Sequence, residues 1–330
     1  MRTFKNFLPI FLGVLLLASC EKEALEQPAV KQTTGQPTAL QNVSLVEGRL
    51  VFNTMQDFQA AIQWLQQHQD GDYKVSLQFP GFKSNREAYE ELDQEMLKPE
   101  DLEKYEGIIT LEEGNGDPEI VPTIDAFILS YIADPMGVLQ INDTLMKVER
   151  KNAYLKVITG GQKVTADDYN NLFKTGSAQI FPVRRNRKSL DANQVEFRAF
   201  GFCETLSTSG KRRVKGELTD VQVILYNELN AQTKHQFKGT FGWRRESTAQ
   251  VSMNGAVYFW RVPMVGSYVS DFNVVDESKT NVAEIKRILA SSPYEDFVPS
   301  NANTEHYADN KTCYINEVFC PYPYPHPACL

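Results

Sequence analysis

An α+β N-terminal domain, an all-β sandwich-like domain after it, and an extended Pro/Tyr/Cys-rich C-terminal tail make up the fold class that the sequence predicts. Three observations carry this. Between residues 53 and 133 apolar residues recur at helical spacing in several short segments, with alternating runs beside them. From about 194 to 275 the pattern is nearly all of period two, broken by Ser-Gly, Asn and Gly turns. In the closing CYINEVFCPYPYPHPACL, prolines alternate with other residues. Such a run lacks backbone donors, which favours an extended ribbon and excludes a place inside a sheet.

The first domain, 48–165, opens on Arg49-Leu50-Val51-Phe52, a short strand, and Asn53-Thr54 supply helix caps. Phe58, Ala61, Ile62 and Leu65 then share one helix face. In FPGFKSNREAYEELDQEML, Ser84 precedes Glu87 at the spacing of a capping box, with Tyr89, Leu92 and Met96 set for one buried stripe. Pro99 ends that helix and suits the first turn of the next, which carries Leu102 and Tyr105. IDAFILSYIAD is a further apolar helix. VLQINDTLMKV places two alternating runs about Asn142-Asp143, a tight hairpin whose central residues tolerate positive φ. Tyr154 to Ile158 add a strand before Gly160-Gly161.

The second domain, 190–277, alternates through VEFRAFGFCETL, RRVKGELTDVQVILYNEL, HQFKGTFGWRRES and AVYFWRV, the pattern of a β-sandwich. Trp243 and Trp260 sit within such strands and read as core plates. Residues 278–330 read as a helix and the Cys/Pro-rich tail. Gly48 to Ser130 holds 17 acidic and 6 basic residues, whereas Ile180 to Val262 holds 7 and 14, so the halves carry opposite charge, for docking on each other or for steering partners. The net charge of -8 excludes a strongly basic nucleic-acid binder, and no nucleic-acid partner is expected.

The beginning, MRTFKNFLPIFLGVLLLASC, sets Arg2 and Lys5 before a short apolar run, an export signal over 1–19 that is too short for a confident membrane span. Leu17-Ala18-Ser19-Cys20 resembles the bacterial lipoprotein signal, which implies acylation of Cys20 and partnership with a membrane through several acyl chains. Residues 20–47 form a tether, for Ala24 to Val46 hold too few large apolar residues to offset ordering entropy. Glu21-Lys22-Glu23 resembles the acid-rich export tag of Bacteroidota surface lipoproteins.

With the GRLVF opening, the GFKS-then-Tyr helix, QINDTLMKV and RRVKGEL...KGTFGW, the chain from Cys20 to about Trp260 resembles uncharacterised Bacteroidota-type cell-envelope lipoproteins. The resemblance implies an address, lipid-anchored at the outer membrane and facing the cell surface. It implies no activity and brings no functional residues. Asp143-Thr144-Leu145 resembles the O-glycosylation signal of Bacteroidota exported proteins, which marks Thr144.

Chemistry-bearing motifs are sparse. The chain has no Gly-rich phosphate loop, His-Glu-x-x-His, Gly-x-Ser-x-Gly elbow or CxxC pair. His68, His235, His306 and His326 are far apart in sequence, and EELDQEMLKPEDLEKYE reads as a solvated helix face. EEGNGDPE, from Glu112 to Glu119, reads as a turn, since it lacks the spacing of a calcium loop. No catalytic residue, metal or cofactor is therefore assigned. The expected function is a non-catalytic, surface-exposed binding or scaffolding module with a glycan or protein ligand. The alternatives are a carbohydrate- or peptide-acting hydrolase with a carboxylate site, and a structural envelope component. Arg184, Arg185, Arg187 and Lys188 form a candidate patch for an anionic ligand or else a solvated linker. Tyr322 and Tyr324 either pack on the sandwich or present an aromatic ligand surface.

With Cys20 acylated, Cys203, Cys313, Cys320 and Cys329 remain, an even set suited to disulfides in an exported protein. The expected pairing is Cys313 with Cys320 and Cys329 with Cys203. A zinc set of Cys313, Cys320, Cys329 and His326, or free thiols, are the alternatives.

Overall fold

Strands β1 (Val43–Val46) and β2 (Arg49–Phe52) meet at a turn where Glu47 and Gly48 take positive φ. Thr54 caps helix α1 (Met55–Gln67) by accepting from the Asp57 amide, and Phe58, Ala61, Ile62 and Leu65 are buried along one face. Ser84 and Glu87 close the capping box of α2 (Asn85–Glu90), a helix that stops before Leu92. Next come α3 (Asp101–Lys104), β3 (Ile109–Glu112), β4 (Glu119–Pro122) and α4 (Phe127–Ile132), the helix expected in IDAFILSYIAD. Asn142, at φ 50°, turns the hairpin of β5 (Val138–Ile141) and β6 (Thr144–Val148). After β7 (Asn152–Val157), α5 (Tyr169–Lys174) and β8 (Gln179–Pro182) the chain is almost entirely β. It runs through β9 (Arg184–Arg185), β10 (Gly201–Leu206), β11 (Arg212–Val223), β12 (Tyr226–Gly239) and β13 (Gly242–Arg245). It ends in β14 (Val251–Pro263), β15 (Val269–Lys279), β16 (Glu284–Ser292), β17 (Glu295–Ala308) and β18 (Lys311–Val318).

This is a computed structural model that describes residues 37–69, 74–94, 97–98, 100–112, 117–158, 164–174, 178–185, 201–240, 242–263, 269–292 and 294–318. Among the described residues no helix is long and apolar enough to cross a membrane. Cys20, Met96, Pro99, Arg187, Lys188, Cys320, Tyr322, Tyr324, His326 and Cys329 lie outside the described residues.

Three sheets organise the β-rich fold. The first runs β1-β2-β5-β6-β7-β8, antiparallel except for β2 beside β5. The second runs β10-β11-β12-β13-β4-β3, with β16 along β12 and β9 along β11. The third is β15-β14-β17-β18. The second and third stack as a sandwich, burying Val214, Leu218, Leu229 and Ala231 against Val257, Phe259, Ala302 and Ile315. His306 lies inside it, with the Thr233 and Thr304 hydroxyls 2.8 and 2.9 Å from its ring nitrogens, and burial pushes it down to about 4. Trp243 is buried, whereas Trp260 is only half-buried.

The sheets cut across the expected division at 165 and 190. Strands β3 and β4, from the first half, join the second sheet where β4 pairs in parallel with β13 at Glu119 and Trp243. The core beneath α1 likewise reaches Val221, Val223, Tyr226 and Ile288. Gly242 makes the junction, since its φ is +128° and an added Cβ would lie 2.1 Å from the Pro118 carbonyl oxygen. Gly242→Ala is therefore expected to destabilise the fold by about 2–3 kcal/mol, read as a lower urea midpoint.

The expected tether over 20–47 is overturned in its last part, since Val43–Val46 form β1 and Leu40 and Val43 join the buried core beneath α1. Two more expectations are overturned. The helix expected within 278–330 is not present among the described residues, because 284–292 is β16 and two further strands follow. Ile285, Ile288 and Leu289 have helix-like spacing, yet a bulge opposite Leu229/Asn230 turns Ile288 into the core under α1 and Leu289 into the sandwich. A strand between two apolar layers can bury adjacent residues in this way. The other correction concerns the cysteines. Cys313 bonds Cys203, with Cα atoms 5.6 Å apart, so neither the Cys313–Cys320 nor the Cys203–Cys329 link forms. Cys313 is not in a tail at all. It lies on β18, which pairs with β17, and its side chain enters the sandwich interior beside β10.

Candidate functional site

In Arg213-Val214-Lys215-Gly216-Glu217-Leu218, successive side chains point to opposite faces of β11. Val214 and Leu218 enter the sandwich. On the other face the register sets Arg213 beside Gln236, Lys215 beside Lys234 and Glu284, and Glu217 beside Gln232 and Lys286. In a free-standing sandwich this face would be wet. Here Glu119 of β4, Arg86 of α2 and Phe127 of α4 meet it, and the alternating charges become a buried lattice.

Glu119 on β4 is its centre. The carboxylate accepts from Arg213 at 2.8 Å, Lys215 at 2.7 Å, Lys234 at 3.1 Å and Gln236 at 3.0 Å. Burial alone would raise its pKa, but Lys234, Lys215 and Arg213 outweigh burial and hold it well below the carboxylate range. Glu217 binds the same two lysines, each at 2.8 Å. Arg213 also lies 4.2 Å from the Trp243 ring centroid.

Beyond this lattice, between α2, α4, β13 and β16, the cover is incomplete and leaves a cleft of about 530 Å³. Arg86 crosses it, donating to Glu90 at 2.6 Å and meeting Glu284 at 2.8 Å, with its guanidinium 4.9 Å from the Phe127 centroid. The Glu284 carboxyl would be raised by burial, yet the Arg86, Arg245 and Lys234 charges hold it below its ordinary value. Tyr131 packs edge-on against Phe127, ring centroids 5.1 Å apart, and burial pushes its hydroxyl up to about 12. Arg245 stacks 4.0 Å from the Tyr89 centroid and donates to the Tyr89 carbonyl at 2.6 Å, which ties β13 to α2. Lys286, on the cleft floor, donates to the Asp125 carbonyl at 2.8 Å.

Carboxyls shifted upward lie elsewhere. Burial raises Asp134 to about 6, and it accepts from the Met136 and Val138 amides and the Tyr169 hydroxyl. Burial also raises Glu228, which accepts from the first two amides of α4, at Phe127 and Ile128, and from Tyr226 and Asn230. Each orders backbone and takes no part in lining the cleft.

The residues singled out in the sequence do not converge on this cleft. Arg184 and Arg185 form β9, pairing with Gln222 and Val221 of β11. Thr144 is half-buried at the start of β6. In EEGNGDPE, Glu112 pairs with Arg150, Asp117 with Lys238, and Glu119 joins the buried lattice. Among the described residues no group of three metal-ligating side chains gathers. His68 stacks on Trp64 in α1, and His235 contacts the Glu246 carbonyl. Sequence reasoning missed Arg86, Glu119, Glu284 and Lys286. For the three on strands the available signal was charge at alternate positions, which looks the same on a wet face and on one covered by protein, and Arg86 on α2 carried no such signal.

No family model matches the chain, and no curated protein matches it. Among solved structures it is similar to a DUF4848 family protein from Bacteroides thetaiotaomicron, at 14% identity and a TM-score of 0.23, over 82% of this chain and 98% of that one.

Proposed function

We propose that this protein binds a glycan in the cleft between α2, α4, β13 and β16 without transforming it, and that acylated Cys20 holds it at the outer-membrane surface. The observation that carries the reading is the composition of the cleft wall. Ion-paired Arg86, Glu90 and Glu284 stand beside the rings of Phe127 and Tyr131 in a space of about 530 Å³. Sugar hydroxyls donate and accept at once, so they suit neighbouring carboxylates and guanidinium N–H groups. The apolar C–H face of a sugar ring suits aromatic carbons. Glu90 keeps 39% of its side chain exposed and retains acceptor capacity toward a ligand. A glycosidase would also need a carboxyl that holds a proton near neutral pH. Glu284 is driven the other way.

A glycan array on the full mature chain, followed by calorimetry on the hits, tests this. Tyr131→Ala and Glu90→Gln are each expected to weaken binding about tenfold, or ~1.4 kcal/mol. Unchanged affinity in both variants would remove the cleft as the site, and turnover of a bound glycan would favour the hydrolase.

A further inference from the structure

The cations of the cleft are not equivalent. Arg86 is neutralised by Glu90 and Glu284. Arg245 donates to the Tyr89 and Leu92 carbonyls and lies flat on the Tyr89 ring. Lys286 differs from both. Its ammonium donates to the Asp125 carbonyl and lies 5.5 Å from the Phe127 centroid, and neither contact cancels its charge.

The surrounding charges offset that imbalance only in part. Asp125 and Glu228 attract Lys286 electrostatically, while Arg86 and Lys234 repel it. Both carboxylates also hold other partners. The first pairs with Arg150 at 3.1 Å, and the second holds the two α4 amides, Tyr226 and Asn230. An ammonium has three donors. One is directed at the Asp125 carbonyl, and Lys286 lines both the main cleft and an adjoining void of about 10 Å³, room for roughly one water molecule. A cation withdrawn from water whose counter-ions are shared with other groups is unfavourable. Burial accordingly pushes the Lys286 amine down.

We infer that the ligand of this cleft is an acidic glycan, and that Lys286 receives the carboxylate of a uronic-acid residue. The inference rests on the glycan reading and narrows it. A uronic acid carries one carboxylate on the ring edge and hydroxyls on the adjacent carbons. With the carboxylate on Lys286, its hydroxyls face Arg86, Glu90 and Glu284, and its C–H face lies toward Phe127 and Tyr131. A neutral sugar fills the same space but leaves the ammonium unmatched.

The test is calorimetry on the full mature chain with trisaccharides of glucuronate, galacturonate and mannuronate, each against its carboxyl-reduced neutral counterpart. At least one uronate is expected to bind tenfold or more tighter than its neutral partner. Lys286→Gln should bring the acid-to-neutral affinity ratio close to one, and Lys286→Arg should restore most of the preference. The wild-type comparison needs no variant to fold. Equal binding of acid and neutral forms overturns the inference and leaves the glycan reading intact. Binding of neither overturns both. A uronate preference that survives Lys286→Gln, or equal binding of O-sulfated neutral trisaccharides, removes the assignment of a carboxylate to Lys286.

Discussion

Glu119→Gln is expected to destabilise the fold by about 3 kcal/mol, the lower end of the range for breaking a buried ion pair by removing one partner. The side chain is only 7% exposed, and its charge opposes Arg213, Lys215 and Lys234 together. Glu217 stays with the lysines and Glu204 with Arg213, which keeps the loss from being larger. Urea unfolding should show a lower midpoint with an unchanged slope. Glu91→Gln is the control. Its pair with Lys83 has side chains 60% and 50% exposed, and such surface pairs contribute less than about 1 kcal/mol. A Glu119→Gln effect no larger than the control would contradict the lattice. The pH dependence has a definite sign. Because the folded carboxyl is held below its unfolded value of about 4.3, its contribution is complete above that pH and is lost as pH falls further. The difference between wild type and variant should therefore shrink in acid and hold steady near neutrality.

Removal of the disulfide by the double substitution Cys203→Ala and Cys313→Ala is expected to lower stability by roughly 4–5 kcal/mol in the chain-entropy account. The two residues are 110 positions apart, so the bond closes a long loop in the unfolded chain. In the folded state it joins β10 of the second sheet to β18 of the third, at one edge of the sandwich. Unreduced peptide mapping should recover the Cys203 and Cys313 peptides as one linked species. Thermal unfolding with and without reductant should separate by many degrees in the wild type and coincide in the double variant. Coincident wild-type curves, or a Cys313 peptide linked to any other cysteine, would contradict this pairing.

Local chemistry was legible in the sequence. The Thr54 cap and its four buried residues, the Ser84–Glu87 box, the Asn142 turn and the period-two strands after Gly201 all depend on groups within a turn or two of one another. Propensity, capping and positive φ decide such features before any distant segment arrives. The cleft is the opposite case. In RRVKGEL the alternation shows that β11 has a charged face and an apolar face, but whether water or protein covers the charged one depends on β4 and α2, about a hundred residues away. The sequence by itself determined a β-rich chain, two halves of opposite charge and a set of locally specified elements. Only the tertiary structure decided that those charges meet in a buried lattice through Glu119, that Ile288 and Leu289 face separate cores, that Cys203 takes Cys313, and that Lys286 lines a cleft. Each of these is set by which strand edges and layers come together, and pairings between distant segments leave no periodic trace in the chain.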